Sequence, residues 1–390
     1  MRSTSQPASY ARILELPRGS FFLFGPRGIG KSTWARRCLA HAKRFDLLDE
    51  GLYQDLLRNP LQFRDELRTL AKSSWVVVDE IQRIPSLLNE VHRSIEEFGL
   101  RFVLLGSSSR KLKTQGTNLL AGRAARKLMF PFTPQELGRD FRLEDQLRFG
   151  SIPLVFAAED RIQALTSYVQ LYLKEEIRAE ALVRNLPAFA RFLPVAALFH
   201  GQVINISNIA RETATARMTV AGYLEILDDT LLTYRLPAFE ARLRVRERKL
   251  PKLYWVDPGL VRAVKKQLGL VTDEERGPLF EGWVLTLLRT YAEVGELYDE
   301  VWYWSPSDSK VEVDFLLRRG RSYLAIEVKS QRRVAALQLS GLKAIGELKS
   351  VARRVLVYPG ERDLKTQDGV EIWSIARFVQ ALAEGQLWPE

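Results

Sequence analysis

Short apolar runs punctuate the first third of the chain. Phe21 to Phe24, Trp75 to Val78 and Phe102 to Leu105 each place four apolar residues in succession, and Phe45-Asp46-Leu47-Leu48-Asp49 reads as a further strand. Runs of this kind suit strands buried on both faces of a parallel sheet. Helical segments separate them, the first predicted from about Ser32 to Ala40. The pattern predicts a doubly wound α/β domain whose ligand sits at the carboxyl ends of the strands.

Further on, the period becomes helical. In residues 161–183, Leu165, Tyr168, Val169, Tyr172, Leu173 and Ile177 form an apolar stripe, which predicts a helical lid or linker. Residues 205–235 read as a winged helix-turn-helix. A short helix, Asn208 to Glu212, leads through Thr213-Ala214-Thr215 to a second from Ala216 to Asp228, and a strand follows at Thr233 to Leu236. Val220, Tyr223, Leu224 and Leu227 would be the buried face of the second helix, leaving Thr215, Arg217 and Thr219 outward. Near the end, a helix from Leu279 to Tyr291 precedes two strands, Val311 to Leu317 and Tyr323 to Ser330, joined by a turn containing Gly320.

Directly after the first run stands Gly25-Pro26-Arg27-Gly28-Ile29-Gly30-Lys31-Ser32-Thr33. This is G-x-x-x-x-G-K-[ST], the phosphate-binding loop of nucleotide triphosphatases. Its glycines let backbone N–H groups close on the α- and β-phosphates, and the following helix turns its positive end to the anion. Lys31 would reach the β- and γ-phosphates, and the Ser32 hydroxyl would ligand Mg²⁺. The run Trp75 to Val78 ends in Asp79 and Glu80, which places Asp79 on Mg²⁺ and Glu80 beside the attacking water. ATP and Mg²⁺ are the expected cofactors. Ser107, Ser108 and Ser109 follow the third run and are candidates to sense the γ-phosphate, with Ser108 in the middle. Arg123 or Arg126 could act as an arginine finger on a neighbouring subunit or simply pair with a carboxylate.

The 390 residues include 58 Lys and Arg against 47 Asp and Glu, so the net charge of +11 suggests a polyanionic partner, DNA first. Arg242, Arg244, Arg246 and Arg248 recur at every second position and would share one face of a β-ribbon, as phosphate contacts or as a dimer interface. A single cysteine, Cys38, excludes an intrachain disulfide and reads as a small core residue. His41, His92 and His200 lack metal-ligand spacing. Residues 1–12 carry no apolar leader, and the charge-free stretch 192–210 is broken by Pro194, His200, Gln202, Asn205 and Asn208. The expectation is a soluble cytoplasmic protein that does not enter a membrane.

The last two strands carry a second set of acids. Antiparallel pairing would bring Asp314 beside Glu327, and Lys329 shares the side of Glu327. Two carboxylates can bind a divalent metal while a lysine helps activate water, and Glu281 on the preceding helix could add a ligand. The alternative is a salt-bridged remnant of such a site.

With these motifs, and with V-D-E-I-Q-R-I-P at 78–85, L-L-G-S-S-S-R at 104–110, L-A-G-R at 120–123, P-K-L-Y-W-V-D-P-G-L at 251–260 and F-E-G-W-V at 280–284, the chain resembles prokaryotic AAA+ ATPases that carry the C-terminal domain of unknown function 4143. The resemblance implies an AAA+ core over 1–150, a helical lid or linker over 151–195, the winged helix-turn-helix over 196–252 and a PD-(D/E)XK nuclease-like α/β domain over 253–390. It also implies Mg²⁺-dependent ATP hydrolysis and assembly into a ring, a hexamer. Within the nuclease-like fold, Asp314, Glu327 and Lys329 match the catalytic strand pair and Glu281 the helix acid. Two functions compete: a DNA-directed motor, whose C-terminal domain could also cut DNA, and a nucleotide-gated switch whose inactive nuclease-like domain binds a protein partner.

Overall fold

Five strands carry the first part of the chain: β1 (Phe21–Phe24), β2 (Lys43–Asp46), β3 (Trp75–Asp79), β4 (Arg101–Gly106) and β5 (Ala125–Leu128). In a computed structural model of the chain, the described residues are 10–108, 120, 122–173, 186–239, 250–306, 311–333 and 339–389. The five strands form an all-parallel sheet in the order β2-β3-β4-β1-β5. Around it lie α1 (Lys31–Cys38), α2 (Glu50–Arg58), α3 (Leu61–Arg68) and α4 (Leu87–Phe98). The strands alternate between two cores. Phe21, Leu23, Val77, Val103 and Leu105 face one, while Phe22, Phe24, Val76, Val78, Phe102 and Leu104 face the other. Burial on both faces is why the runs are unbroken in sequence. The strand expected to reach Asp49 ends at Asp46, because Asp49 leaves the sheet to cap α2, accepting from Leu52 N at 2.9 Å.

Four short helices follow: α5 (Pro134–Leu137), α6 (Leu143–Phe149), α7 (Pro153–Phe156) and α8 (Arg161–Ser167), the last running into a wider-turned stretch, Tyr168–Leu173. Leu165 and Tyr168 pack into the first core, while Ile177 lies outside the described residues. Next come α9 (Leu186–Leu198), β6 (Gln202–Val203), α10 (Ile206–Glu212), α11 (Arg217–Asp229), β7 (Thr233–Leu236) and β8 (Lys252–Trp255). The three strands form an antiparallel sheet with β8 in the centre.

The C-terminal part opens with α12 (Pro258–Lys265) and the long α13 (Asp273–Gly295), which starts earlier and ends later than the expected Leu279 to Tyr291. A capping box between Thr272 and Glu275 sets its start. Six strands follow: β9 (Glu300–Trp304), β10 (Val313–Arg319), β11 (Ser322–Val328), β12 (Val351–Tyr358), β13 (Leu364–Lys365) and β14 (Glu371–Ser374). They form one mixed sheet in the order β13-β14-β12-β11-β10-β9. Two helices, α14 (Ser340–Ala344) and α15 (Ile375–Ala383), accompany it.

One apolar core runs from Leu14 in the first part to Trp388 in the last. One close joint in it lies between α6 and α12. Gly259 sits so close to Phe149 that a Cβ there would stand 2.0 Å from the Phe149 carbonyl oxygen. Beside it, the buried Asp257 carboxylate accepts from Ser151 N at 2.7 Å and from Leu260 N at 3.0 Å. Burial pushes this carboxyl up to about 6, against the lowering pull of those amides. Unfolded, it would titrate near 3.9, as about any free aspartate does. Between those values the folded chain binds the proton more tightly, so this residue's contribution to stability falls as pH rises through that window. Denaturation midpoints of the wild type and Asp257→Asn compared from pH 4 to 7 are expected to differ by an amount that shifts against the wild type as pH rises; a difference constant with pH would remove this role from Asp257.

Candidate functional site

The phosphate loop joins β1 to α1. Gly28 and Gly30 take φ of +73° and +89°, a left-handed conformation that costs glycine little. Lys31 is 6% exposed, and its ammonium donates to Gly25 O at 2.7 Å and Pro26 O at 3.2 Å, so the side chain folds back over its own loop. The loop is tied from outside as well. Leu154 N donates to Gly28 O at 3.1 Å and the Tyr168 hydroxyl to Arg27 O at 2.9 Å.

A third tie comes from Arg12, which no motif marks. Its guanidinium donates to Ile29 O at 2.9 Å, to Phe130 O, and to the Glu136 carboxylate at 2.8 Å. Both ionic side chains are buried, 8% and 1% exposed. Glu136 is placed by the capping box that Thr133 and Pro134 open at α5. Beside Arg12, the rings of Tyr10, Phe132 and Phe156 pack with centroids 5.2–5.9 Å apart. These groups, with Gly28, Gly30, Lys31, Ser32, Thr33 and Glu80, line a cleft of about 810 Å³. A phosphate loop and aromatic rings lining one cleft suit a nucleotide's phosphates and base.

At the carboxyl end of β3, Asp79 lies level with Asp46 of β2 and accepts from Glu80 N at 3.1 Å. Glu80 adopts φ +56°, a strained value for a non-glycine residue. Burial raises its pKa, while the Lys31 charge opposes that shift. The Gln82 amide donates both to the Glu80 carboxylate and, at 3.1 Å, to the Ser107 hydroxyl at the end of β4. Since β4 lies between β1 and β3, Gln82 bridges the acid and the serine turn. Of the serine candidates, Ser107 and Ser108 are buried and Ser109 lies outside the described residues. Ser32 and the strand-end carboxylates are hard oxygen donors, the class that Mg²⁺ takes while keeping waters and phosphate oxygens.

Several expected residues sit elsewhere. Arg123 is paired on the surface with Glu96 of α4. Arg126 is exposed on β5. Cys38 is exposed at the end of α1 and lines the cleft, so it is not a core residue. His200 is buried, and its Nδ1 accepts from Trp255 N at 3.0 Å. Among the α10–α11 residues, Arg217, Met218 and Thr219 are exposed at the start of α11, Met218 at 83%. Thr215 is half-buried, its hydroxyl donating to Thr213 O at 3.1 Å, and so does not point freely outward. Arg242, Arg244, Arg246 and Arg248 lie outside the described residues. Among the described residues, no helix is long and apolar enough to cross a membrane.

The C-terminal acids do converge. Phe315 pairs with Ile326 across β10 and β11, which sets Asp314 level with Glu327. Lys329 Nζ donates to Glu327 Oε1 at 2.5 Å. Yet the middle of the cluster is held by a residue from another sheet. The Lys252 ammonium of β8 lies 3.1 Å from Glu281 Oε1 and 3.8 Å from Asp314 Oδ1, and pairs with Glu312. The Tyr254 hydroxyl also donates to Glu281. Burial by itself would lower the Lys252 pKa, but Glu281, Asp314 and Glu312 outweigh it and hold the ammonium charged. Among the described residues, no group of three or more His, Cys, Asp or Glu is arranged to hold a metal ion. The acids are salt-bridged in this arrangement, Glu281 and Asp314 to Lys252 and Glu327 to Lys329, as the alternative reading of the sequence has it.

Residues 18–138 match the family described as AAA domain (AAA_14). That match covers the part of the chain that carries the phosphate loop. Residues 140–273 match a domain of unknown function (DUF8612), and residues 276–378 match another (DUF4143). An uncharacterized protein of Mycobacterium tuberculosis is 29% identical over 359 residues, covering 89% of this chain and 78% of that protein. One of Haemophilus influenzae is 23% identical over 285 residues, covering 68% of each. Among solved structures, the Orc1 protein of Aeropyrum pernix in complex with DNA aligns at 15% identity over 65% of this chain and 87% of that one, with a TM-score of 0.29.

The Arg12 tie can be tested directly. Arg12→Ala leaves the buried Glu136 carboxylate without its cation, at a cost of about 3 kcal/mol. A lower denaturation midpoint is expected, with Arg12→Lys recovering only part of it. A midpoint unchanged from wild type would show that the pair does not hold the loop.

Proposed function

We propose that this protein is an Mg²⁺-dependent ATPase that acts on DNA, coupling hydrolysis to binding, translocation or remodelling of the duplex. The observation that carries the reading is the cleft: a phosphate loop with a buried lysine faces Glu80 across one cavity. Lys31 would leave the carbonyls of Gly25 and Pro26 for the β- and γ-phosphates. Gly25 to Thr33 would cradle the phosphates with backbone N–H groups. Ser32 and Asp79 would hold Mg²⁺, which when bound neutralises charge on the transferring phosphoryl group. Glu80 would orient the attacking water. Gln82 would position Glu80 and transmit the state of the β4 end through Ser107, with Ser108 beside it.

DNA enters from the charge surplus and from the middle of the chain. We read α10, α11 and the β7–β8 pair as a winged helix-turn-helix, with Arg217 at the exposed start of its second helix and Arg242, Arg244, Arg246 and Arg248 in its wing. Assembly into a cytoplasmic hexameric ring belongs to the same proposal, with Arg123 or Arg126 of one subunit reaching the next. The C-terminal domain is read as nuclease-like in fold. The lysine within its acids favours a second reading in that domain alone, as a docking module and not a cutting one.

Steady-state ATPase assays with linear duplex, single-stranded and four-way-junction DNA at fixed salt test the proposal. Stimulation by at least one form is expected, and Lys31→Ala should abolish it. Activity indifferent to every DNA, with no salt-sensitive binding, would move the function to a nucleotide-gated switch. Within the same assay, Gln82→Ala is expected to lower kcat about tenfold, the scale of one lost orienting contact, while nucleotide affinity stays near wild type. A fall in affinity with kcat intact would instead make Gln82 a binding residue.

A further inference from the structure

We infer that the C-terminal acids form a socket for Lys252, an internal cation that locks the three-stranded sheet onto the last domain and keeps a divalent metal out. The inference uses the nuclease-like reading only for where a metal would sit, and it is independent of the ATP site.

The acids arrive from separate elements: Glu281 from α13, Glu312 from the residue before β10, Asp314 from its start, and Glu327 from the end of β11. Lys252 comes from β8, in a different sheet. Its side chain is 5% exposed, and its ammonium faces Glu281 at 3.1 Å, Asp314 at 3.8 Å and Glu312. An ammonium offers three donors and no acceptor, so three carboxylates are what it needs when buried. A divalent cation asks for the same oxygens and carries the same sign of charge. The two cannot share the cluster.

Lys252 is also held in place by its backbone. β8 is paired on both sides, with Leu236 and Val203 opposite Lys252. The adjoining chain is stitched to the C-terminal sheet: Phe239 N donates to Tyr303 O at 2.7 Å and Tyr303 N to Pro237 O at 3.0 Å. Below, the Tyr303 hydroxyl reaches Leu250 O at 2.6 Å, and the ammonium lies 5.5 Å from that ring's centroid. Withdrawing the lysine would leave the buried Glu281 and Asp314 carboxylates without their cation. The socket nonetheless keeps one unsatisfied oxygen. Glu327 Oε2 is buried with no hydrogen-bond partner, and Glu327 is 6% exposed. Glu281, Asp314 and Glu327 are not arranged for a metal as they stand, but with Lys252 neutralised they would be free to close on a divalent ion in its place.

The test titrates Mn²⁺ into the nucleotide-free full-length protein, read by calorimetry and by the melting temperature. The wild type is expected to show no Mn²⁺ binding that depends on Asp314. Lys252→Gln is expected to gain a measurable isotherm and a Mn²⁺-dependent rise in melting temperature, both lost when Asp314→Asn is added. If Lys252→Gln misfolds, Lys252→Met, which keeps the aliphatic stem, is read in its place. Wild-type binding that Asp314→Asn abolishes would overturn the inference, because the metal would then be held with the lysine in place. Failure of the lysine variants to bind would overturn it too, since the lysine would not be what excludes the metal. An inactive ATP site alters none of these outcomes.

Discussion

Everything in this fold leans on one helix that is buried nearly all round. Along α13, Leu279, Phe280, Trp283, Val284, Leu285, Leu287, Leu288 and Tyr291 all enter the common core. A surface helix shows an apolar stripe on one face, but this one must meet apolar neighbours on several. The consequence is electrostatic. Three charged residues along this stretch, Glu281, Arg289 and Glu293, find partners that come from different parts of the chain. Glu281 receives Lys252 and Tyr254 from β8. Arg289 lies over the rings of Tyr234 at 4.1 Å and Phe130 at 4.9 Å. Glu293 takes Lys127 from β5. A buried charge left alone would cost several kcal/mol, so these pairings fix how the parts sit around the helix.

The phosphate loop shows the same economy. A glycine-rich turn is soft by nature, and here its carbonyls are fastened by Arg12, Leu154 and Tyr168, which stand before and after it in the chain. Arg12 in turn depends on Glu136, held by a capping box in α5. The nucleotide cleft is thus an assembly of the parallel sheet and the helices that follow it. A change at the α5 start is felt at the loop through one ion pair.

Local rules were readable where the chain's own neighbours decide the outcome. The three buried runs, the loop G-x-x-x-x-G-K-S and the acid pair after Val78 follow from period and steric freedom. So did the pairing that sets Asp314 level with Glu327, because a short turn between two strands imposes an antiparallel register. Cys38 was misread, since one apolar-sized residue at a helix end carries no sign of which way it faces.

By itself the sequence determined the phosphate-loop motif, the α/β character of its first part and the identity of the C-terminal acids. Only the tertiary structure decided what those acids hold. Lys252 lies 29 residues from Glu281 along the chain and belongs to another sheet. No period or spacing ties a lone lysine in a β-strand to carboxylates on a distant helix. Packing around α13 brings them within 3.1 Å, and at that distance the cost of burying charge chooses the partner. The same holds for Arg12 and Gln82: their roles arise from carbonyl, carboxylate and hydroxyl groups that meet only once the sheet and its neighbours have closed.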